Sequence, residues 1–161
     1  MKPLHTYLRF PALIVFLLFL TACSESENHA TKSATIATLD VYKSRTCQCC
    51  QQWVHHMEDV GFDTKTHHPS DLNRIKNDYG IAPEFQSCHT AVTSNGYVFE
   101  GHIPARFVQQ FLENPPDDAI GLSVPGMPAG SPGMEMGDRV WLLKKDGSAD
   151  VFASVNSRDQ Q

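Results

Sequence analysis

Cys47-Gln48-Cys49-Cys50 places three thiols within four residues, and Cys47 and Cys50 form a C-x-x-C pair. Two chemistries use such a group. A thiolate is the nucleophile of disulfide exchange, and it is also a soft metal ligand. The residues before the motif read as a short strand and those after it as a helix. At a helix N-terminus, unpaired N–H groups and the helix dipole favour thiolate over thiol, with cysteine pKa values lowered to about 3.5–7.5. A structural disulfide would use two of the three sulfurs and leave one reactive.

Further donors lie downstream. Cys88-His89 adds a fourth sulfur and an imidazole just before the third predicted strand. His102 in Glu100-Gly101-His102-Ile103-Pro104 stands at the same end of the predicted sheet. Several S and N donors about one point make a metal constellation. His55-His56 reads as a solvated helix pair and His67-His68 as a loop pair. The segment from Val124 to Met136 contains Pro-Gly-Met twice. Pro-Gly is a type II turn pair, so Met127 and Met134 each follow a tight turn. Methionine is usually packing filler. Three methionines in a loop with little other apolar content point instead to thioether ligation, which suits Cu(I). Met127 and Met134 are the expected contacts, in a loop that closes over the cysteine-bound metal.

These residues need a frame. Leu39-Asp40-Val41-Tyr42 alternates as a strand. Trp53, Val54, Met57 and Val60 are spaced for one helix face, with Gly61 as the stop. Phe62 to Thr66 reads as a second strand. Ser70 is the expected cap of a helix bearing Leu72, Ile75 and Tyr79, closed by Gly80. Thr90–Thr93 and Tyr97–Glu100 flank Asn95-Gly96, a hairpin signal. Pro104 opens a helix with Phe107, Val108, Phe111 and Leu112 on one face. The order βαβαββα, with cysteines between the first strand and first helix, looks like an α/β thioredoxin-like core. Gly121 to Gly137 holds five Gly, three Pro and three Met and reads as loop. Two strands around Lys145-Asp146-Gly147-Ser148 add a C-terminal hairpin.

The amino terminus reads as an address. Lys2 and Arg9 precede nine apolar residues from Ala12 to Leu20, too few to span a bilayer. Leu20-Thr21-Ala22-Cys23 then looks like a lipobox, with Cys23 as the lipidated residue. The expected organisation is a signal peptide over 1–22, a tether over 23–37 and one domain over 38–157. Ser24 after the cysteine favours an outer-membrane anchor facing the periplasm, where thiols need disulfides or a metal. The chain has 161 residues, 13 Lys+Arg, 18 Asp+Glu and a net charge of −5. That acidic balance argues against nucleic acid as a partner. At 41% hydrophobic and 19% charged, the chain can build a core.

Taken together, Lys43-Ser44-x-x-Cys-x-Cys-Cys-x-x-Trp, Ser-Cys-His-Thr-Ala, Glu-Gly-His-Ile-Pro-Ala and Pro-Gly-Met-Pro-x-Gly-Ser-Pro-Gly-Met resemble one bacterial metal-binding family. This family, DUF411, is tied to copper resistance and includes periplasmic CopG-like proteins. The resemblance spans Leu39 to Val155. It implies a thioredoxin-like fold, copper binding through the C-x-C-C cysteines and neighbouring ligands, and a role in changing copper's oxidation state. The expected ligands are Cys47, Cys49, Cys50, Cys88, His89, His102, Met127 and Met134. Thiolate and thioether hold Cu(I), imidazole accommodates Cu(II) as well, and bridging thiolates allow more than one ion. The expected partners are copper ions and other periplasmic copper-handling proteins. One alternative is a thiol–disulfide oxidoreductase with Cys47 as nucleophile and Cys50 as resolver. It leaves Cys49, Cys88-His89 and the methionines unexplained. A zinc-stabilised interaction module is a third reading, and methionine is a poor zinc ligand.

Overall fold

The structure is a computed structural model and describes residues 35–126 and 139–155. Strand β1 (Thr38–Lys43) leads into helix α1 (Gln48–Asp59), β2 (Asp63–His67) and α2 (Leu72–Asp78). A 3-10 turn at Pro83–Phe85 precedes the hairpin of β3 (His89–Thr93) and β4 (Val98–Glu100). Helix α3 (Ala105–Glu113) and strands β5 (Ala119–Ser123), β6 (Arg139–Lys144) and β7 (Ala149–Ser154) complete the order. The strands form one mixed sheet in the order β2-β1-β3-β4-β5-β6-β7. β1 pairs with β2 and β4 with β5 in parallel; the other neighbours are antiparallel. This is a thioredoxin-like open sheet extended by the C-terminal hairpin.

Alternation along the strands divides the core. Leu39, Val41, Ala91, Phe99 and Leu122 pack with Trp53, Val54 and Met57 of α1 and Phe107, Val108 and Phe111 of α3. Val92, Val98 and Leu143 face the other way and pack with Ile81, Tyr79 and Phe85. β3 and β4 are therefore buried at every position, as strands covered on both sides must be.

Three expectations need correction. Asp71, not Ser70, caps α2, accepting a bond from Arg74 N–H at 3.0 Å, because the helix starts one residue later, at Leu72. Val60 lies outside the buried face of α1: it is the C-cap and is 39% exposed. The stretch from Gly121 is not all loop, since Gly121, Leu122 and Ser123 belong to β5. A Cβ on Gly121 would come within 1.8 Å of the Val98 carbonyl oxygen. The glycine that looked like a strand breaker is what lets β5 lie against β4.

Candidate metal centre

The sheet brings the predicted donors to one end. β1 runs up to Lys43, and the chain turns through Ser44 into the cysteines. β3 starts there with His89 opposite Lys43, β4 ends there with Glu100, and β5 ends there at Ser123. Cys47 is the N-cap of α1, its sulfur accepting from Cys50 N–H at 3.3 Å. Cys47 and Cys50 form a disulfide, and Cys49 and Cys88 are free. Cys49 Sγ lies 3.5 Å from Cys47 Sγ. Cys88 Sγ lies 3.6 Å from Nδ1 of His89 and 3.6 Å from Nδ1 of His102.

These contacts form two overlapping sets. The donor atoms of Cys47, Cys49, Cys50 and Cys88 all lie within 4.8 Å of one another, and so do those of Cys50, Cys88, His89 and His102. Cys50 and Cys88 are common to both. The first set is all sulfur and the second mixes sulfur with imidazole. His89 is fully buried between the Trp53 ring, 4.5 Å away, and the edge of His102, 5.0 Å away. Nε2 of His89 and Nε2 of His102 are both buried without a hydrogen-bond partner among the described residues. Buried polar atoms are normally satisfied, and coordination to a metal is one way to satisfy an imidazole nitrogen.

Burial also sets the protonation states. It pushes the Cys88 thiol up to about 11, helped by neighbouring Cys49. It holds His89 well below the usual histidine value, reinforced by His102, Lys76 and Lys43, and it lowers His102 as well. At neutral pH the pocket thus holds neutral imidazoles, the form that ligates, and a protonated Cys88.

Other residues hold the pocket in shape. Trp53 Nε1 donates to the Ile103 carbonyl at 2.8 Å and ties α1 to the His102 segment. Glu100 and Lys76 are a buried ion pair. Glu100 also accepts from Ser87 N–H at 2.5 Å and from the Thr90 hydroxyl at 2.6 Å, on either side of Cys88-His89. Gly101 has φ +79°, and a Cβ there would sit 2.4 Å from the Val124 carbonyl and 2.7 Å from Ser87 Oγ. Only glycine lets the chain turn from Glu100 to His102 so close to Ser87. Ser87 Oγ in turn donates to the Gly126 carbonyl at 2.7 Å.

Of the predicted site residues, the structure gathers Cys47, Cys49, Cys50, Cys88, His89 and His102. Met127, Met134 and Cys23 lie outside the described residues. Three other histidines bond elsewhere: His55 with Gln51, His67 with Asp40 and His68 with the Lys43 carbonyl. His67 ends β2 rather than lying in a loop. Sequence reasoning missed Lys43, Lys76 and Glu100. The available signal was a charge where the pattern asked for an apolar residue: Lys43 continues the buried row of Leu39 and Val41, and Glu100 closes Val98-Phe99.

The family profile described as "Protein of unknown function, DUF411" matches residues 85–134. Two solved structures, both titled copper resistance protein copG, Form 2 and Form 1, are similar at 38% identity and TM-score 0.65. The matches cover 74% and 75% of this chain and 98% of each copG chain. Among curated proteins there is no significant match. With that identity across nearly the whole of copG, the chain belongs to the DUF411 family of copG-type copper-resistance proteins.

Proposed function

We propose that this domain binds copper in the bacterial periplasm and serves copper resistance. The observation that carries the reading is the pair of overlapping donor sets sharing Cys50 and Cys88, with two buried imidazole nitrogens left unbonded. Copper is the cargo. Cys47, Cys49, Cys50 and Cys88 supply thiolates, His89 and His102 supply imidazoles, and Met127 and Met134 add thioethers. Thiolate and thioether select Cu(I), whereas imidazole suits Cu(II) too. Opening the Cys47–Cys50 bond takes two electrons and yields two thiolates. In the reverse direction, formation of that bond releases two electrons, enough to reduce two Cu(II) to two Cu(I). The domain therefore interconverts the two states as well as holding them. The chain is tethered through lipid on Cys23 to the outer membrane. Among the described residues no helix is long and apolar enough to cross a membrane. Cys23→Ser should release the domain from the membrane fraction or leave an unprocessed precursor, as read by mass spectrometry of the N-terminus.

A thiol–disulfide oxidoreductase is the second reading, because Cys47 and Cys50 are joined in the structure. One experiment separates the two. In Cys49→Ser and Cys88→Ser, Cu(I) retention against a competing chelator should fall at least about tenfold, the loss of one thiolate ligand. Unchanged retention in both variants, with reductase activity also intact, would overturn the copper reading.

A further inference from the structure

Two lysines are buried beside the centre, and their surroundings differ. Lys76 Nζ pairs with Glu100 and donates to Thr90 Oγ1 at 3.0 Å. Lys43 is as deeply buried, at 2% exposed. No carboxylate lies within 4 Å of its Nζ among the described residues. That nitrogen donates to the Ser44 carbonyl at 3.3 Å. A buried cation without a counter-charge is costly, and a carbonyl oxygen compensates only part of that cost.

The position of Lys43 indicates where the missing charge belongs. It stands in register with His89 across the β1–β3 ladder, so both side chains lie on the same face of the sheet. That face is the one covered by α1, since Leu39 and Val41 of the same row pack with Trp53 and Val54. Its charge is felt at His89, whose imidazole belongs to the donor set with Cys50 and Cys88. The Ser44 carbonyl that takes its hydrogen bond also accepts from Cys47 N–H at 3.2 Å. The ammonium and the Cys47 amide, at the N-cap of α1, therefore share one acceptor. The helix N-terminus adds its own positive potential there.

We propose that Lys43 is the counter-cation of the sulfur cluster: among the described residues it has no carboxylate partner, and the opened, copper-loaded cysteines supply the negative charge. Several thiolates on Cu(I) carry more negative charge than the ion neutralises, and Lys43 balances the excess. In the disulfide form the cation is uncompensated. Lys43 thereby favours the open, metal-holding state over the closed one. The copper part of this inference rests on the reading above; the thiolate part does not.

The test uses the full chain with Lys43→Met, which keeps the length and removes the charge, and Lys43→Arg, which keeps the charge. The first measurement is Cu(I) retention against a chromophoric chelator. The second is the equilibrium of the metal-free Cys47–Cys50 bond in glutathione buffers. There each bond opened takes two electrons from two glutathione thiols, which leave as one oxidised glutathione. Their two protons pass to the cysteines or to buffer. Lys43→Met should lose about tenfold in Cu(I) retention and shift about tenfold toward the disulfide, the effect of removing one cation from the field of the thiolates. Lys43→Arg should stay within about threefold of the parent in both. The urea midpoint of the disulfide form should not fall in Lys43→Met, because an uncompensated buried charge has been removed. A parent that fails to retain Cu(I) while the glutathione shift appears would sink the copper reading and leave the thiolate part standing. A glutathione equilibrium equal to the parent's in Lys43→Met overturns the inference. So does an equal loss in Lys43→Arg, or a disulfide form of Lys43→Met that is less stable or does not fold; each of these marks Lys43 as structural.

Discussion

Cys88 Sγ and His102 Nδ1 lie 3.6 Å apart, joining the start of β3 to the turn that precedes α3. The two groups respond to a metal differently. Burial keeps Cys88 protonated up to about pH 11, and burial keeps His102 neutral below the usual histidine value. A metal entering at neutral pH must displace a proton from Cys88 and none from His102 or His89. Cu(I) affinity should therefore rise with pH through the neutral range. The parent should be steeper than Cys88→Ser by about one proton, or about tenfold per pH unit. Chelator competition at several pH values gives both slopes.

His89 makes the fold acid-sensitive. Its folded pKa lies well below the unfolded value, so the unfolded chain binds the proton more readily. Stability from this group is complete above about pH 6.5 and is lost as pH falls below that value toward the folded pKa. Each pH unit in that window costs up to about 1.4 kcal/mol. Urea unfolding of the metal-free protein between pH 5 and 8 should show this decline, and His89→Gln should flatten it.

Glu100 holds both strands of the centre through one carboxylate. Glu100→Ala would strand the Lys76 ammonium in the core and free the Ser87 amide and Thr90 hydroxyl. Breaking a buried pair from one side costs about 3–5 kcal/mol. Glu100→Ala should thus lower stability by about that amount in urea. Lys76→Met combined with Glu100→Gln should recover a large part of it, because no unpaired charge remains. A loss as large in the double variant as in Glu100→Ala would show that the charge pairing is not what matters.

What the sequence discloses and what it hides divide along physical lines. The C-x-C-C motif, the Asn95-Gly96 turn and the helix faces act through neighbours in sequence, so their spacing reveals the core and the donors. The convergence of Cys88, His89 and His102 also follows once the strand order is guessed, because antiparallel β3 and β4 return to the same end. The Lys76–Glu100 pair spans 24 residues and rests on two charges inside elements whose patterns are otherwise apolar. No local rule anticipates such a pair. β5 was hidden for the opposite reason: Gly121 signals a break locally, and its use is a close approach to Val98, a residue remote in sequence.

The methionines carry the last prediction. Gly126 has φ +91°, as the Pro125-Gly126 turn requires, and its carbonyl is held by Ser87 Oγ at 2.7 Å. Ser87 immediately precedes Cys88, and Met127 immediately follows Gly126. Gly126 is thus bonded to the neighbour of a predicted copper ligand, and Met127 is the next residue in the sequence. Thioethers are neutral, so they add ligation without raising the negative charge of a thiolate cluster. They also need no deprotonation, whereas each thiolate competes with protons for its place on copper. Met127→Ala with Met134→Ala should therefore weaken Cu(I) binding, and by a larger factor at pH 5 than at pH 7. The loss should be about tenfold at the acidic end, where the thioethers carry a greater share of the ligation. Thermal unfolding of the metal-free protein should be unchanged, because the core among the described residues is already continuous without these two side chains. Equal Cu(I) affinity in the parent and the double variant at both pH values would remove Met127 and Met134 from the ligand set. The cysteines and histidines would then hold the metal alone.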